Sequence, residues 1–138
     1  MQHRASFWKE SLAQLHIQAP DPVLGGDIEH PSWFSGWKFS VVDQCFQAPH
    51  DKVAILTASE GDATINKVTY GELQTLVNKV ANGLHKMGFK KGDRIGIDMP
   101  MVWESVAIYL GIIKAGCVVV SIADSFTAQE IHKRLEIS

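Results

Sequence analysis

The side chains able to do chemistry in this sequence are scattered, and two carboxylates stand out by position. Asp98 lies near the end of the strand-like run Arg94 to Met99, and Asp124 follows the apolar run Cys117 to Ile122. Ligands of open parallel sheets gather beyond the carboxyl ends of the strands, so both aspartates are placed for function. Solvated loop or capping roles are the alternative for each. Ser105 and Ser121 lack the flanking glycines of G-x-S-x-G, the strained turn that exposes a nucleophile, and read as structural. His3, His16, His30, His50, His85 and His132 never fall at the paired spacing of a zinc helix or beside a cysteine pair, so no metal ligand set is expected. Neither G-x-G-x-x-G nor G-x-x-x-x-G-K-[ST] occurs, which removes both common backbone cradles for phosphate and leaves Gly25-Gly26 as a loop. Stabilising charge at a transferring group needs preorganised donors, a cation or a metal. The chain as written assembles none of these, and no catalytic residue is assigned.

The elements that would position the two aspartates read more clearly. Thr69 and Glu72 have the spacing of a capping box, in which each side chain takes up the other residue's free backbone N–H. Leu73, Leu76, Val77, Val80, Ala81 and Leu84 follow as one apolar stripe, and Gly88 can end the helix left-handed. Arg94 to Met99 then reads as a strand stopped by Pro100, Val102 to Ala115 as a helix apolar nearly all round, and Cys117 to Ile122 as a parallel strand covered on both faces. Thr127 and Glu130 repeat the capping-box spacing, with Ile131 and Leu135 as the apolar side of a further helix that the end of the sequence is expected to cut short. Upstream, Lys52 to Ala58 and Thr64 to Thr69 read as a hairpin around Ser59 to Asp62. Phe7 to Ile17 suggests a short peripheral helix, and Pro20 to Pro31 a loop or linker. Trp33, Phe34, Trp37 and Phe39 could form a ligand platform, but are read as packing an N-terminal arm onto a domain.

Composition bounds the function. With 138 residues, 46% hydrophobic and 20% charged, the chain has the make-up of one globular domain, and its net charge of -2 offers no footprint for nucleic-acid phosphates. Cys45 and Cys117, far apart, fit reduced thiols and an intracellular setting. No stretch at the start resembles a signal peptide, and no run is long and apolar enough to suggest a membrane span.

One ordered series of motifs carries a resemblance: Thr69-Tyr70-Gly71-Glu72-Leu73, Ala81-Asn82-Gly83-Leu84, Gly88, Lys91-Gly92-Asp93-Arg94-Ile95-Gly96-Ile97, Ala107, Gly111-Ile112 and Ala115-Gly116. Their order and spacing, over Lys52 to Ile137, resemble the start of the adenylate-forming acyl-CoA synthetases, the AMP-dependent synthetase and ligase family. Phe7-Trp8-Lys9-Glu10 and Trp33-Phe34-Ser35-Gly36 look like acetyl-CoA synthetases, while Ile97 to Met101 and Val119 to Phe126 look like the plant acyl-activating branch.

The resemblance implies an α/β fold: a partial layered α-β-α domain with a parallel β-α-β-α run and an N-terminal hairpin, the incomplete N-terminal domain of such an enzyme. It implies an arm and linker over residues 1–31 and a truncated synthetase domain over 32–138. It further implies an enzyme that joins a carboxylic acid to the phosphate of ATP, with magnesium, and passes the acyl group to coenzyme A, in the cytoplasm or an organelle such as the peroxisome. The family's Ser/Thr/Gly-rich loop ending in Pro-Lys, its aromatic-Thr-Glu segment, its ribose-binding Asp and its late catalytic Lys have no counterpart in this sequence, so the chain alone is expected to be inactive and, with strands left open, to self-associate. The loop Ile122 to Thr127 resembles a Gly-Gly-containing turn beside the nucleotide end of coenzyme A, which makes Asp124 and Ser125 the candidate cofactor contacts. This sequence has Asp124-Ser125 in place of Gly-Gly, an ionised Asp124 would repel phosphate, and helix capping by Ser125 or Thr127 is the alternative. A non-catalytic interaction or regulatory module, or a doubly wound ligand-binding domain unrelated to adenylation, are the other readings. Acid chain length is not readable.

Overall fold

The computed structural model describes residues 2–58, 60, 61 and 63–137. In chain order the elements are α1 (Gln2–Gln14), β1 (Leu24–Gly26), β2 (Pro31–Trp33), α2 (Val41–Cys45), β3 (Val53–Thr57), β4 (Asn66–Thr69), α3 (Tyr70–Lys86), β5 (Arg94–Asp98), α4 (Trp103–Lys114), β6 (Val118–Ile122) and α5 (Ala128–Glu136). They divide into two compact units, Met1–Phe39 and Ser40–Ser138.

In the second unit, local signals set the boundaries. Both expected capping boxes form: Thr69 with Glu72 opens α3, and Thr127 with Glu130 opens α5. The two core helices also end alike. After α3, Gly88 at φ +92° lets its own N–H reach His85 O and the Phe89 N–H reach Leu84 O; after α4, Gly116 at φ +80° lets its N–H reach Ile113 O and the Cys117 N–H reach Ile112 O. This is the glycine-terminated turn that satisfies the last free carbonyls. Helix α3 buries Leu73, Val77, Ala81 and Leu84. It lies close to α4 where Gly111 stands: a methyl group there would come within 2.6 Å of Val80.

The core has two parts, one around Val42, Val68, Leu73, Val77 and Ala107, the other around Ala81, Leu84, Ile112, Ala115 and Cys117. Ile95, Ile97 and Val119 pack against the second part, so one face of the β5–β6 pair lies on the two helices. β5 and β6 run parallel, in register from Arg94 opposite Val118 to Asp98 opposite Ile122. β3 and β4 form the expected antiparallel hairpin, with a register shift between Val53 and Ile55; Ser59 and Asp62 of its turn lie outside the described residues. Covering of β6 is less complete than its apolar run suggests, since Val118 is 46% exposed and Ser121 is exposed. The sheet holds two strands among the described residues, and α5 lends only side chains such as Leu135 to its second face.

The first unit corrects two expectations. Helix α1 covers Gln2–Gln14 rather than Phe7 to Ile17, and closes on His16 at φ +56° with the Ile17 N–H on Leu12 O at 2.9 Å. Pro20 to Pro31 is not wholly irregular, because β1 and β2 pair antiparallel within and just after it. Pro31 begins its strand, where a missing N–H is tolerated, and the turn before it is held by Asp27 Oδ1 accepting from the His30 N–H at 2.6 Å. The aromatic residues pack on one another here: Trp8 meets Trp33 edge-on at 5.9 Å, Trp33 adjoins Phe34, and Phe34 leads through Trp37 to a stacked contact with Phe39 at 4.8 Å.

Candidate functional site

The parallel pair brings the two aspartates singled out by position to one end of one sheet. Asp98 ends β5 opposite Ile122, so the chain leaves β6 for Ala123 and Asp124 at the level where β5 gives way to Met99 and Pro100. Ala123 to Phe126 forms a tight turn closed by the Phe126 N–H on Ala123 O at 2.9 Å. Asp124 and Ser125 sit exposed at its tip, and neither side chain holds a hydrogen bond to the described residues.

The helix that follows is capped by Thr127 and not by Ser125. The Thr127 N–H donates to Glu130 Oε2 at 2.7 Å and the Glu130 N–H to Thr127 Oγ1 at 3.4 Å. The Thr127 backbone N–H, with the Thr127 hydroxyl second, holds the Glu130 carboxyl below the usual glutamate range. Glu130 is therefore a carboxylate at neutral pH. Together with Asp124 it places two negative charges around α5's N-terminus, where the helix dipole alone would favour an anion. The loop suits a hydroxyl or amine donor better than a bare phosphate.

Beside this loop, on the α4 side, lies an open cavity of about 290 Å³. Ile97, Met99, Pro100, Met101, Val106 and Tyr109 line it, along with Ser105 and Ser121, and its walls are mainly apolar. Ser105 is not free to act as a nucleophile, because its Oγ donates to Val102 O at 2.6 Å. The helix that forms the wall enters with no side-chain cap, Val102 standing at the N-cap position. Sequence reasoning missed this cavity: a helix apolar nearly all round does not reveal which side stays uncovered. The structure shows it at Met101, which stands 94% accessible after the strand-stopping proline.

Other candidates do not join the site. His30 pairs with Asp27 and His132 with Glu136 on exposed surfaces, and among the described residues no three His, Cys, Asp or Glu side chains gather as a metal site. Cys45 is exposed and Cys117 buried, both as free thiols. Among the described residues no helix is long and apolar enough to cross a membrane. Among the described residues, no base, nucleophile and orienting partner come within mutual reach.

Comparison with known proteins bears on what that frame belongs to. Residues 41–138 match the family described as AMP-binding enzyme. The chain is 37% identical to the probable acyl-activating enzyme 18, peroxisomal, of Arabidopsis thaliana, which aligns with all of this chain over 20% of its own length. It is also 37% identical to the acetyl-coenzyme A synthetase of Magnetococcus marinus, over 95% of this chain and 22% of that enzyme. The chain thus spans about a fifth of the length of these relatives. In fold it is similar to the acetoacetyl-CoA synthetase from Streptomyces lividans, with a TM-score of 0.88 over 99% of this chain and 22% of that one at 24% identity.

Proposed function

The chain belongs to the AMP-binding enzyme family, and from that premise we propose that it forms the opening part of an acyl-CoA synthetase. Such an enzyme joins a carboxylic acid to the phosphate of ATP, releases pyrophosphate, and passes the acyl group from the adenylate to the thiol of coenzyme A. The observation that carries this reading is the family match over residues 41–138, which takes in the whole β5–α4–β6–α5 run. Relatives named as acyl-activating and acetyl-coenzyme A synthetases support it.

The part played by this chain is scaffolding and ligand contact. The loop Ile122 to Thr127 lies beside the nucleotide end of coenzyme A in the complete enzyme, with the Ser125 hydroxyl as donor. Asp124 there accepts from a ribose hydroxyl or a base amine, since Asp124 and Glu130 together keep a phosphate at a distance. Magnesium, which the family's chemistry uses, finds no group of three ligand side chains among the described residues, and no step is assigned through it. The 138 residues alone have no acid-dependent activity, because no Ser/Thr/Gly-rich loop ending in Pro-Lys occurs in them. An intracellular setting, cytoplasmic or peroxisomal, fits the two free cysteines and the relative named peroxisomal. The other reading is a non-catalytic interaction module.

Sequencing the transcript past the Ser138 codon and assaying the translated product for acid-dependent exchange of pyrophosphate with ATP tests the proposal. A continuing frame that carries the missing loop, with exchange, is the expected result. A stop codon after a stable, inactive chain would overturn it in favour of the interaction module.

A further inference from the structure

Gly96 is the middle residue of β5, and its backbone is not left-handed, so conformation does not require a glycine there. Ile95 and Ile97 face the helical core, which puts Gly96 on the other side of the sheet, the side shared by Val120 and Ile122 of β6. The place of its missing side chain is filled from both ends of the loop Ile122 to Thr127. A methyl group on Gly96 would lie 3.6 Å from Cδ1 of Ile122, which ends β6, and 3.5 Å from Cδ2 of Leu135, in the last turn of α5. A second tie joins the neighbours of these two residues, since Arg134 Nη2 donates to Ser121 O at 3.3 Å. Consecutive residues of α5 thus meet consecutive residues of β6, one pair through a hydrogen bond and the other through the space above Gly96.

The capping box of α5 fixes where the helix starts and not where it lies, and α5 buries no side chain among the described residues. The turn Ala123 to Phe126 is closed within itself by the Phe126 N–H on Ala123 O, so its position follows from its two ends.

We propose that Gly96 is a positioning residue for the loop Ile122 to Thr127. By leaving room for Ile122 and Leu135 over one spot of the sheet, it sets how closely α5 approaches β6, and with that where Asp124 and Ser125 are presented. All these contacts lie within the chain and do not depend on what covers the sheet elsewhere. The consequence for coenzyme A rests on the reading of this loop proposed above. Alanine fits at 96, because both distances to its methyl are ordinary van der Waals contacts. Valine does not fit: its branched side chain is stiff about χ1 and cannot turn both methyls away from Ile122 and Leu135, so α5 must move.

Two measurements on the same variants test this. Amide exchange of the 138-residue chain reads the position of the loop, and steady-state kinetics of the complete enzyme reads its use. Gly96→Val is expected to speed exchange of the Phe126 and Ile131 N–H groups severalfold, with the amides of α3 exchanging as before. Gly96→Ala leaves both groups protected, and Leu135→Ala added to Gly96→Val restores protection by removing the atoms that valine displaces. In the complete enzyme, Gly96→Val raises KM for coenzyme A severalfold and keeps kcat and KM for ATP, and the added Leu135→Ala brings KM back. Rescue separates positioning from general damage, since loss of a second apolar side chain would only worsen a destabilised fold. Exchange at Phe126 and Ile131 that ignores Gly96→Val, or damage that spreads to α3 and is not relieved by Leu135→Ala, would overturn the proposal. Exchange that responds and is rescued while KM for coenzyme A stays constant upholds the positioning and overturns the placing of coenzyme A at this loop.

Discussion

Helices α3 and α5 begin with the same device and end in different circumstances. Each opens on a threonine whose hydroxyl takes the N–H of a glutamate three residues on, and each glutamate returns the bond to the threonine N–H. Yet α3 buries Leu73, Val77, Ala81 and Leu84, whereas α5 buries no residue. A cap specifies where a helix starts, at a worth of about 1 kcal/mol. What burial adds to α3 is several times larger, so α3 belongs to the cooperative core and α5 to the part of the fold that opens at low cost.

That contrast can be broken first at the contact between α3 and α4. Gly111→Ala places a methyl 2.6 Å from Val80 and 3.2 Å from the Val77 carbonyl, so the helices must separate. A loss of about 3 kcal/mol by urea unfolding is expected; an unchanged midpoint would show that the contact yields freely. Val77→Ala, at a side chain with no exposed surface, removes two buried methyl groups and should cost about 2 kcal/mol in the same assay.

The matched pair of caps sharpens the comparison. Thr69→Ala should lower stability by about 1 kcal/mol, while Thr127→Ala should leave the global unfolding midpoint within about 0.3 kcal/mol and raise amide exchange only in α5. Equal effects of the two would put α5 in the core after all. The smallest effect is one of pH. Glu72 and Glu130 are each held below the ordinary carboxylate range by the backbone N–H of their threonine, with its hydroxyl second. Depressed folded-state values mean that this stabilisation is present above the unfolded glutamate value and is lost as pH falls through the folded one. Thermal midpoints of the unsubstituted chain should therefore drop in mild acid more steeply than those of Glu72→Gln, and parallel curves would contradict the capping geometry.

What was legible in the sequence follows the same division between local and tertiary causes. Capping boxes and helix-ending glycines act through neighbours in the chain, so the starts of α3 and α5 and the ends at Gly88 and Gly116 could be read directly. The end of α1 could not, because a histidine, and not a glycine, takes the left-handed position there. The β1–β2 hairpin was hidden by Pro31, whose tolerance at the first position of a strand depends on the pairing itself. At the site, the position of Asp98 at the end of one strand and of Asp124 beyond the end of the other was readable from the β-α-β order. The apolar cavity beside them was not, since it depends on which side of α4 the rest of the chain leaves uncovered.

For the loop Ile122 to Thr127, proposed to lie beside coenzyme A, replacing Asp124 and Ser125 separately with glycine in a complete enzyme should change KM for coenzyme A severalfold and leave KM for ATP in place. Unchanged dependence on coenzyme A in both variants would reduce the loop to a connection between β6 and a helix that Thr127 caps. The central claim, that this chain supplies the frame of an acyl-activating enzyme and not its chemistry, is tested most directly by acid-dependent exchange of labelled pyrophosphate into ATP with the purified 138-residue chain. The account predicts no exchange above background with acetate or a fatty acid; measurable acid-dependent exchange would contradict it.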